Sequence, residues 1–214
     1  MAKIIRLTFN PLRENTYIVY DDTKECVIID PGCQLQKEKD TLKQYISDLG
    51  LKPQAVLNTH CHFDHVFGNN FICDEYGIEP WAHEGDLLNI KRFAAGASLF
   101  GISADPPKAP TSFLKDGMRF RFGQSELKVI HTPGHSPGSV CFYSENDKWL
   151  VAGDTLFAGN IGRTDLPGGD FDTIKQSLKR LTQLPNETVV YPGHDTDTTI
   201  GKEKLYNPFL NEED

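Results

Sequence analysis

The chain has 214 residues, of which 38% are hydrophobic and 24% are charged, and a formal net charge of −8 at pH 7. This composition excludes collagen-like, low-complexity and disordered chains, and the acidic balance argues against nucleic acid as a partner. The longest uncharged stretch, Phe93 to Ala104, is interrupted by glycine and serine. It is shorter than the ~20 apolar residues of a membrane-spanning helix, so no membrane span is expected.

Three strand-like segments open the chain. The runs Ile4–Phe9 and Asn15–Tyr20 alternate or are apolar, and Cys26–Ile29 follows a polar turn, which predicts an antiparallel start. A helix is predicted over residues 35–49, because apolar side chains recur there at three- and four-residue spacing. Gly50 follows this segment as a C-terminal cap.

The rest of the chain mixes strands and helices. Further strands are predicted at Ala55–Leu57, Arg119–Phe122, Leu127–His131, Val140–Tyr143, Trp149–Val151 and Thr188–Tyr191. Helices are predicted over 86–94 and from a cap at Asp172 to about Leu184, where Pro185 follows. Because no linker or change of composition divides the chain, residues 1–214 are expected to form a single domain.

The N-terminus and the cysteines indicate a cellular compartment. Residues 1–6 lack the apolar run of a secretory leader. The five cysteines are odd in number, form no Cys-x-x-Cys pair and mostly lie in apolar runs. Buried free thiols and a reducing cytoplasm are therefore expected, whereas the oligomeric state is not predicted.

A cluster of metal-ligand residue types follows the strand at Ala55–Leu57. Within Thr59–His65, an extended chain sends His60 and His62 to the same side, because side chains in a strand alternate with a period of two. A turn at Asp64-His65 would aim these two side chains at a second point nearby. The segment therefore predicts two half-sites for metal ions.

Three more candidate ligands follow later strands. His135 and His194 each end a Pro-Gly-His sequence, and Asp154 follows an apolar strand and Gly153. A carboxylate can bridge two cations and an imidazole cannot, so Asp154 is the bridging candidate.

The ligand types also constrain the metal. Imidazoles and carboxylates suit zinc, and also iron or manganese, and the absence of clustered thiolates favours an open catalytic site over a closed structural one. Two divalent ions are therefore expected, with zinc preferred. Cys61 should alternate away from the metals and serve packing, and His83 and His131 are not predicted to be ligands.

The motifs resemble a known family. Thr59–His65 matches the Thr-His-x-His-x-Asp-His signature of glyoxalase II, and the order His135, Asp154, His194 is similar to the remaining ligands of the metallo-β-lactamase superfamily. The resemblance extends from Asp30-Pro31-Gly32 to His194. It implies an α+β fold, the αβ/βα four-layer sandwich with two sheets inside and helices outside.

The resemblance also implies the roles of individual residues. It implies two metal sites bridged by Asp154 and a hydroxide, with three ligands each: His60, His62 and His135 for the first, and Asp64, His65 and His194 for the second. Asp30 would support the metal loop from behind, although a residue before Pro31 is equally compatible with a simple turn. Asp64 and Asp154 are the predicted catalytic residues, with Asp64 also handling a proton.

Substrate binding is predicted from departures from glyoxalase II. Arg163 looks like the replacement for a lysine that contacts glutathione there, whereas the tyrosine expected two positions later is Asp165. Arg163 is thus a candidate for binding a substrate carboxylate, with a solvated loop arginine as the alternative. Only 20 residues follow His194, so the chain resembles compact glyoxalase II-like hydrolases that lack the C-terminal helical segment.

These observations predict a binuclear metal-dependent hydrolase. A metal-bound hydroxide would cleave S-acyl-glutathione or a related anionic thioester, a small-molecule substrate. The alternative enzyme is an iron-dependent persulfide dioxygenase, in which His60, His135 and Asp154 would hold one metal. A metal-bearing scaffold without activity is disfavoured, because ligands for two ions are present.

Overall fold

The computed structural model describes residues 1–211. Its strands in chain order are β1 (Lys3–Phe9), β2 (Glu14–Tyr20), β3 (Glu25–Ile29), β4 (Lys52–Leu57), β5 (Pro80–His83), β6 (Ser112–Leu114), β7 (Arg119–Phe122), β8 (Ser125–His131), β9 (Val140–Ser144), β10 (Trp149–Gly153), β11 (Leu156–Phe157), β12 (Asn160–Ile161), β13 (Val189–Pro192) and β14 (Thr198–Thr199). Its helices are α1 (Gln36–Asp48), α2 (Phe63–Val66), α3 (Asn69–Tyr76), α4 (Leu87–Leu99), α5 (Phe171–Leu181), α6 (Ile200–Tyr206) and α7 (Pro208–Asn211).

Two six-stranded sheets form the centre of the molecule. The first has the order β1-β2-β3-β4-β5-β6, in which β1 to β3 pair antiparallel and β3 to β6 run parallel. The second has the order β14-β13-β10-β9-β8-β7, in which only the β10–β13 pair is parallel. Parallel pairing brings the carboxyl ends of β3, β4 and β5 to one edge of the first sheet.

The layers follow from the period-two alternation of the strands. In β2, Tyr17 and Val19 face the second sheet and join a buried core with Phe142 and Val151, while Ile18 faces outward. The outward residues of the first sheet pack on α1 and α3, and those of the second sheet pack on α5. Helix, sheet, sheet and helix therefore form the four-layer sandwich that the family resemblance implies.

The helix predicted over 35–49 is confirmed, but one predicted cap is wrong. Helix α1 ends before Gly50, whose φ of +62° is the left-handed conformation that glycine adopts readily. The side chain that caps α5 is Asp170, which accepts a hydrogen bond from the Thr173 amide at 2.7 Å. Asp172 instead lies in the first turn, where its charge favours the helix N-terminus.

Several short elements were not predicted. Strands β5 and β6 have four and three residues, too few to show an alternation pattern. Helices α6 and α7 follow His194 within the last described residues. Within residues 1–211, no helix is long and apolar enough to cross a membrane.

Candidate metal centre

All seven predicted ligand side chains lie where strands of the two sheets end. The chain after β4 carries four of them, two in an extended loop and two in the short helix α2: His60, His62, Asp64 and His65. The other three follow β8, β10 and β13, in that order: His135, Asp154 and His194. The turn predicted at Asp64-His65 is thus one turn of helix.

The first cluster consists of three imidazoles. The ligand nitrogens of His60, His62 and His135 lie within 4.8 Å of one another. Nε2 of His135 is 3.3 Å from Nε2 of His60 and 2.8 Å from Nδ1 of His62. Burial, reinforced by the neighbouring imidazoles, lowers the pKa of His62 to about 3 and that of His60 well below its ordinary value. Neutral imidazoles offer lone pairs to a common cation.

The second cluster contains a carboxylate. Nε2 of His194 lies 3.3 Å from Oδ2 of Asp64, and Nε2 of His65 lies 3.7 Å from the same oxygen. Burial acts to lower the pKa of His65, but nearby carboxylates, Asp154 first, raise it well above its ordinary value. Burial likewise opposes the charge on Asp64, yet His65 and His194 hold its pKa below the usual range. This cluster therefore contains an ionised carboxylate, which the first cluster lacks.

Asp154 lies between the two clusters. Its Oδ2 is 3.5 Å from Nε2 of His135 and 3.7 Å from Nε2 of His194, and its Oδ1 is 3.5 Å from Nε2 of His65. Gly193 leaves room for this arrangement, because a Cβ atom there would lie 2.2 Å from Oδ1 of Asp154. The carboxylate thus faces ligands of both clusters, as a bridging residue would.

Hydrogen bonds outside the clusters orient four of the five imidazoles. In each of the four, Nδ1 is hydrogen-bonded to an oxygen outside the clusters and Nε2 faces inward. The Nδ1 partners are Thr59 Oγ1 at 3.1 Å for His60, Asp30 Oδ2 at 3.1 Å for His65, the Arg163 carbonyl at 2.8 Å for His135, and the Leu12 carbonyl at 3.1 Å for His194. Such partners fix the tautomer and ring orientation of metal-binding histidines. The side chains are therefore held in place by the protein itself.

Asp30 supports the ligands from behind. Its Oδ1 accepts the Thr59 amide at 2.7 Å, and its Oδ2 accepts both the Thr59 hydroxyl at 2.5 Å and Nδ1 of His65. Both oxygens are thus occupied, although Asp30, His60 and His65 lie close enough together to hold an ion. Asp30 therefore contacts the start of the ligand loop at Thr59 and one ligand side chain, His65.

The donor set fits two divalent cations. Among residues 1–211, Nε2 of His65 and Oδ1 of Asp154 are buried without a hydrogen-bond partner. An unsatisfied buried polar atom costs about 1–3 kcal/mol, which a cation between these two atoms would remove. Five imidazoles and two carboxylates also match the preferences of zinc, iron and manganese.

Asp86 joins the loops that carry the first cluster. This buried carboxylate accepts the Cys61 amide at 2.6 Å through Oδ2 and the Gly138 amide at 2.8 Å through Oδ1. Cys61 lies between His60 and His62, and Gly138 follows His135 in the β8–β9 loop. One side chain therefore connects ligand loops of the two sheets. No local sequence pattern marks Asp86, because its partners are 25 and 52 residues away.

A cleft of about 790 Å³ lies at the metal centre, and ligands of both clusters line it. Helix α4 contributes one part of its lining, and residues 157–167 contribute another. Arg163 lines the cleft with an exposed side chain whose Nε and Nη2 bind Oδ1 and Oδ2 of Asp165 at 2.7 and 2.6 Å. The positive charge of Arg163 is thus paired with the carboxylate of Asp165 at the solvent-exposed surface.

The residues that were not predicted to be ligands lie outside the clusters. Cys61 is buried with Val66, Ala82 and Phe93, and burial raises the pKa of its thiol well above the ordinary value. A thiol in this environment stays protonated and is a poor nucleophile. His83 and His131 stack on each other with ring centroids 4.0 Å apart.

The sequence is similar to known proteins over most of its length. The sequence model of the metallo-beta-lactamase superfamily matches residues 9–194. A probable metallo-hydrolase, YqgX, of Bacillus subtilis is 37% identical over 212 residues, which cover 96% of each chain. A hydroxyacylglutathione hydrolase, GloC, of Haemophilus influenzae is 35% identical over 202 residues, or 93% of each chain.

A solved structure extends the comparison to three dimensions. The sequence of TTHA1623, whose structure was solved in a di-iron-bound form, is 40% identical to this chain. The two structures superpose with a TM-score of 0.88 over 96% of this chain and 100% of that one. Fold and family model thus agree over most of the sequence. The chain therefore belongs to the metallo-beta-lactamase superfamily.

Proposed function

We propose that the protein is a binuclear metal-dependent hydrolase of thioesters, with S-acyl-glutathione or a related anionic thioester as substrate. The observation that carries the proposal is the position of Asp154, within 3.7 Å of nitrogens from both ligand clusters. The similarity to a hydroxyacylglutathione hydrolase supports the substrate class. In this reaction the C–S bond breaks, a C–O bond to water forms, and a carboxylic acid and a thiol leave.

Each cluster would hold one cation. His60, His62 and His135 would bind the first, Asp64, His65 and His194 the second, and Asp154 both. Two such ions would lower the pKa of coordinated water to about 7 and polarise the thioester carbonyl. Imidazole and carboxylate ligands make zinc our preferred metal, with iron or manganese as alternatives; iron is the metal of the similar TTHA1623 structure.

The chain's own residues would orient the substrate and move a proton. Asp64 projects into the cleft beside His194, where it can exchange a proton with the attacking water or the departing thiol. Arg163 would bind a substrate carboxylate in exchange for Asp165. Because the bond to Asp165 is lost when the bond to the substrate forms, Arg163 contributes less to substrate affinity than an arginine without a prior partner would.

Metal analysis combined with two assays tests this function. Protein purified without chelator should carry close to two equivalents of metal and release thiol from S-lactoylglutathione. Oxygen uptake with glutathione persulfide is measured in parallel. Protein that is fully active on the persulfide with one iron, and inert toward thioesters, would contradict the hydrolase.

The iron-dependent persulfide dioxygenase is the second candidate. One observation favours it, because His60, His135 and Asp154 converge as a possible triad: Nε2 of His135 is 3.3 Å from His60 Nε2 and 3.5 Å from Asp154 Oδ2. The assembled second cluster favours the hydrolase, since a dioxygenase with one metal would leave Asp64, His65 and His194 without a cation to bind.

A further inference from the structure

The cleft at the metal centre is lined by more apolar surface than a small hydroxyacyl group can cover. Besides Leu12, its large apolar side chains come from two parts of the chain, here called the first and the second wall: Phe63, Phe93, Leu99 and Phe100 form the first, and Phe157, Ile161, Leu166 and Pro167 form the second. A lactoyl group carries a hydroxyl and only three carbons. Most of this lining would stay in contact with water when such a group is bound.

The apolar walls begin directly at the ligands. Phe63 follows His62 in the chain and its ring lies 5.2 Å from that of Phe100, between centroids. Gly96 allows this ring to approach α4, because a Cβ there would lie 3.0 Å from a ring carbon of Phe63. In the second wall, the Phe157 ring lies 6.4 Å from the ring of His194, between centroids. A chain attached to the reacting carbonyl therefore meets apolar surface at once.

The wall on α4 continues to the rim of the cleft. Leu99 is 85% exposed and Phe100 is 56% exposed, although both are large apolar residues that line the cleft. A contiguous exposed apolar surface next to a catalytic cleft is characteristic of a ligand-binding site. Covering it with a chain of methylene groups would be favourable, by up to about fourfold in affinity for each methylene that is fully buried.

The basic residues of the cleft suit the other end of the substrate. Among the described residues, the arginines and lysines that line the cleft are Arg92 and Arg163, and Arg163 is already paired with Asp165. Arg92, and Arg163 when it exchanges Asp165 for substrate, suit the carboxylates of a thiol such as glutathione. They leave the walls at Phe63 and Phe157 to the acyl group.

We propose, on the basis of the thioesterase function above, that the acyl group of the substrate is an apolar chain longer than a hydroxyacyl group. It lies along the wall formed by Phe63, Leu99 and Phe100. Specificity would then come from burial of methylene groups, and not from hydrogen bonds to an acyl hydroxyl.

A series of acyl chains on one thiol tests the proposal. We expect kcat/KM of the metal-loaded enzyme to rise roughly 30-fold from S-acetylglutathione to S-hexanoylglutathione, below the full-burial limit because the cleft is open. The kcat/KM for S-lactoylglutathione should be close to that for S-acetylglutathione. In Phe100→Ala, the ratio of kcat/KM for S-hexanoylglutathione to that for S-acetylglutathione should be several-fold smaller. The matched control is Tyr45→Ala, an exposed aromatic on the outer helix α1 that should leave the series unchanged.

Binding of thioethers separates the inference from catalysis. S-Octylglutathione and S-methylglutathione contain no thioester carbonyl, so calorimetry measures their affinity for the loaded enzyme without turnover. The octyl compound should bind at least about tenfold more tightly, and Phe100→Ala should narrow this difference. Because Phe100 is largely exposed, the variant is expected to fold.

The outcomes distinguish the inference from the function on which it rests. Cleavage of all thioesters with kcat/KM independent of chain length, or highest for the lactoyl compound, overturns the acyl assignment and leaves the thioesterase standing. No cleavage of any thioester overturns both. A rise with chain length that Phe100→Ala leaves intact shows that the chain lies elsewhere and overturns the proposed wall.

Discussion

Two buried aspartates connect the two sheets at separate places, and only one of them lies beside the ligands. Asp86 accepts the Cys61 amide from the first sheet's loop and the Gly138 amide from the second sheet's loop. Asp21 accepts the Thr23 amide at 2.9 Å, the Gln124 amide at 2.7 Å and the Ser125 hydroxyl at 2.9 Å. These partners likewise belong to the β2–β3 turn of the first sheet and the β7–β8 turn of the second.

The comparison separates what holds the fold from what makes the site. Both carboxylates are nearly inaccessible, with exposures of 0% for Asp86 and 3% for Asp21, and both bind backbone amides of two loops. A buried carboxylate needs several donors, which these amides supply. The connections are therefore alike in chemistry, and their consequences should differ only through the side chains that the loops carry.

The largest effect is expected from a proposed ligand itself. Asp154→Asn should lower kcat/KM for a thioester by about 10³-fold or more and reduce the metal content below two equivalents, because an amide bridges cations poorly. Asp195→Asn, an exposed residue of the same cleft, is the control. Elemental analysis and initial rates measure both. Two retained metals with full activity in Asp154→Asn would contradict the bridging role.

The next effect tests the connection beside the metals. In Asp86→Asn, the side-chain amide faces one of the two backbone amides, so one loop loses its acceptor. Outer partners of ligands typically contribute 10- to 100-fold in metal affinity, and we expect a loss in that range. Competition with a chelating dye measures it. Metal affinity equal to wild type, with unfolding free energy reduced, would make Asp86 purely structural.

The contrast between the two aspartates also shows what the sequence could predict. The ligand motif Thr59–His65 was recognisable because its spacing alone determines which side chains converge. The role of Asp86 depends on contacts 25 and 52 residues away, which no local pattern records. The same holds for the two apolar walls of the cleft, whose residues come from α2, from α4 and the following Phe100, and from the segment 157–167.

The fold was predictable to a similar extent. Long strands such as β2 and amphipathic helices such as α1 show their period within one window, whereas β5 and β6 are too short. The cap of α5 was misplaced by two residues because Asp170 and Asp172 are chemically equal. The bond from the Asp170 amide to the Gly134 carbonyl at 2.8 Å helps to hold this residue extended. The single-domain organisation and the cytoplasmic location stay predictions.

A smaller effect is expected at Arg163, whose backbone and side chain have separate partners. Its carbonyl orients His135, and its guanidinium binds Asp165. Arg163→Ala preserves the carbonyl, so kcat/KM for S-lactoylglutathione should fall about tenfold while an uncharged thioester is hardly affected. Asp165→Asn should improve the anionic substrate a few-fold by freeing the guanidinium. An equal loss for both thioesters in Arg163→Ala would indicate a role in positioning His135.

The smallest effect on activity is expected at the other aspartate. Burial alone would raise the pKa of Asp21, but hydrogen bonds from Thr23, Gln124 and Ser125 bring it from 3.8 to about 2. A lowered pKa in the folded state means that the ionised carboxylate stabilises the protein by about 1–2 kcal/mol above pH 4–5, and that this contribution declines as the pH falls toward 2. Asp21→Asn should therefore lower the unfolding free energy at pH 6 and leave kcat and metal affinity at wild-type values.

The pH dependence makes this prediction specific. Urea unfolding of metal-free wild type and Asp21→Asn, followed from pH 6 to pH 3, should show a stability difference that narrows as the pH falls. Over this range the Asp21 carboxylate of the unfolded chain takes up a proton, whereas that of the folded protein, with a pKa of about 2, stays largely ionised. Metal-free Asp86→Asn is unfolded at pH 6 for comparison and should lose a similar amount of stability. Unlike Asp21→Asn, it should also bind metal more weakly in the dye competition. If Asp21→Asn also weakened metal binding, the two connections would be coupled through the sheets, and the separation between fold and site would fail.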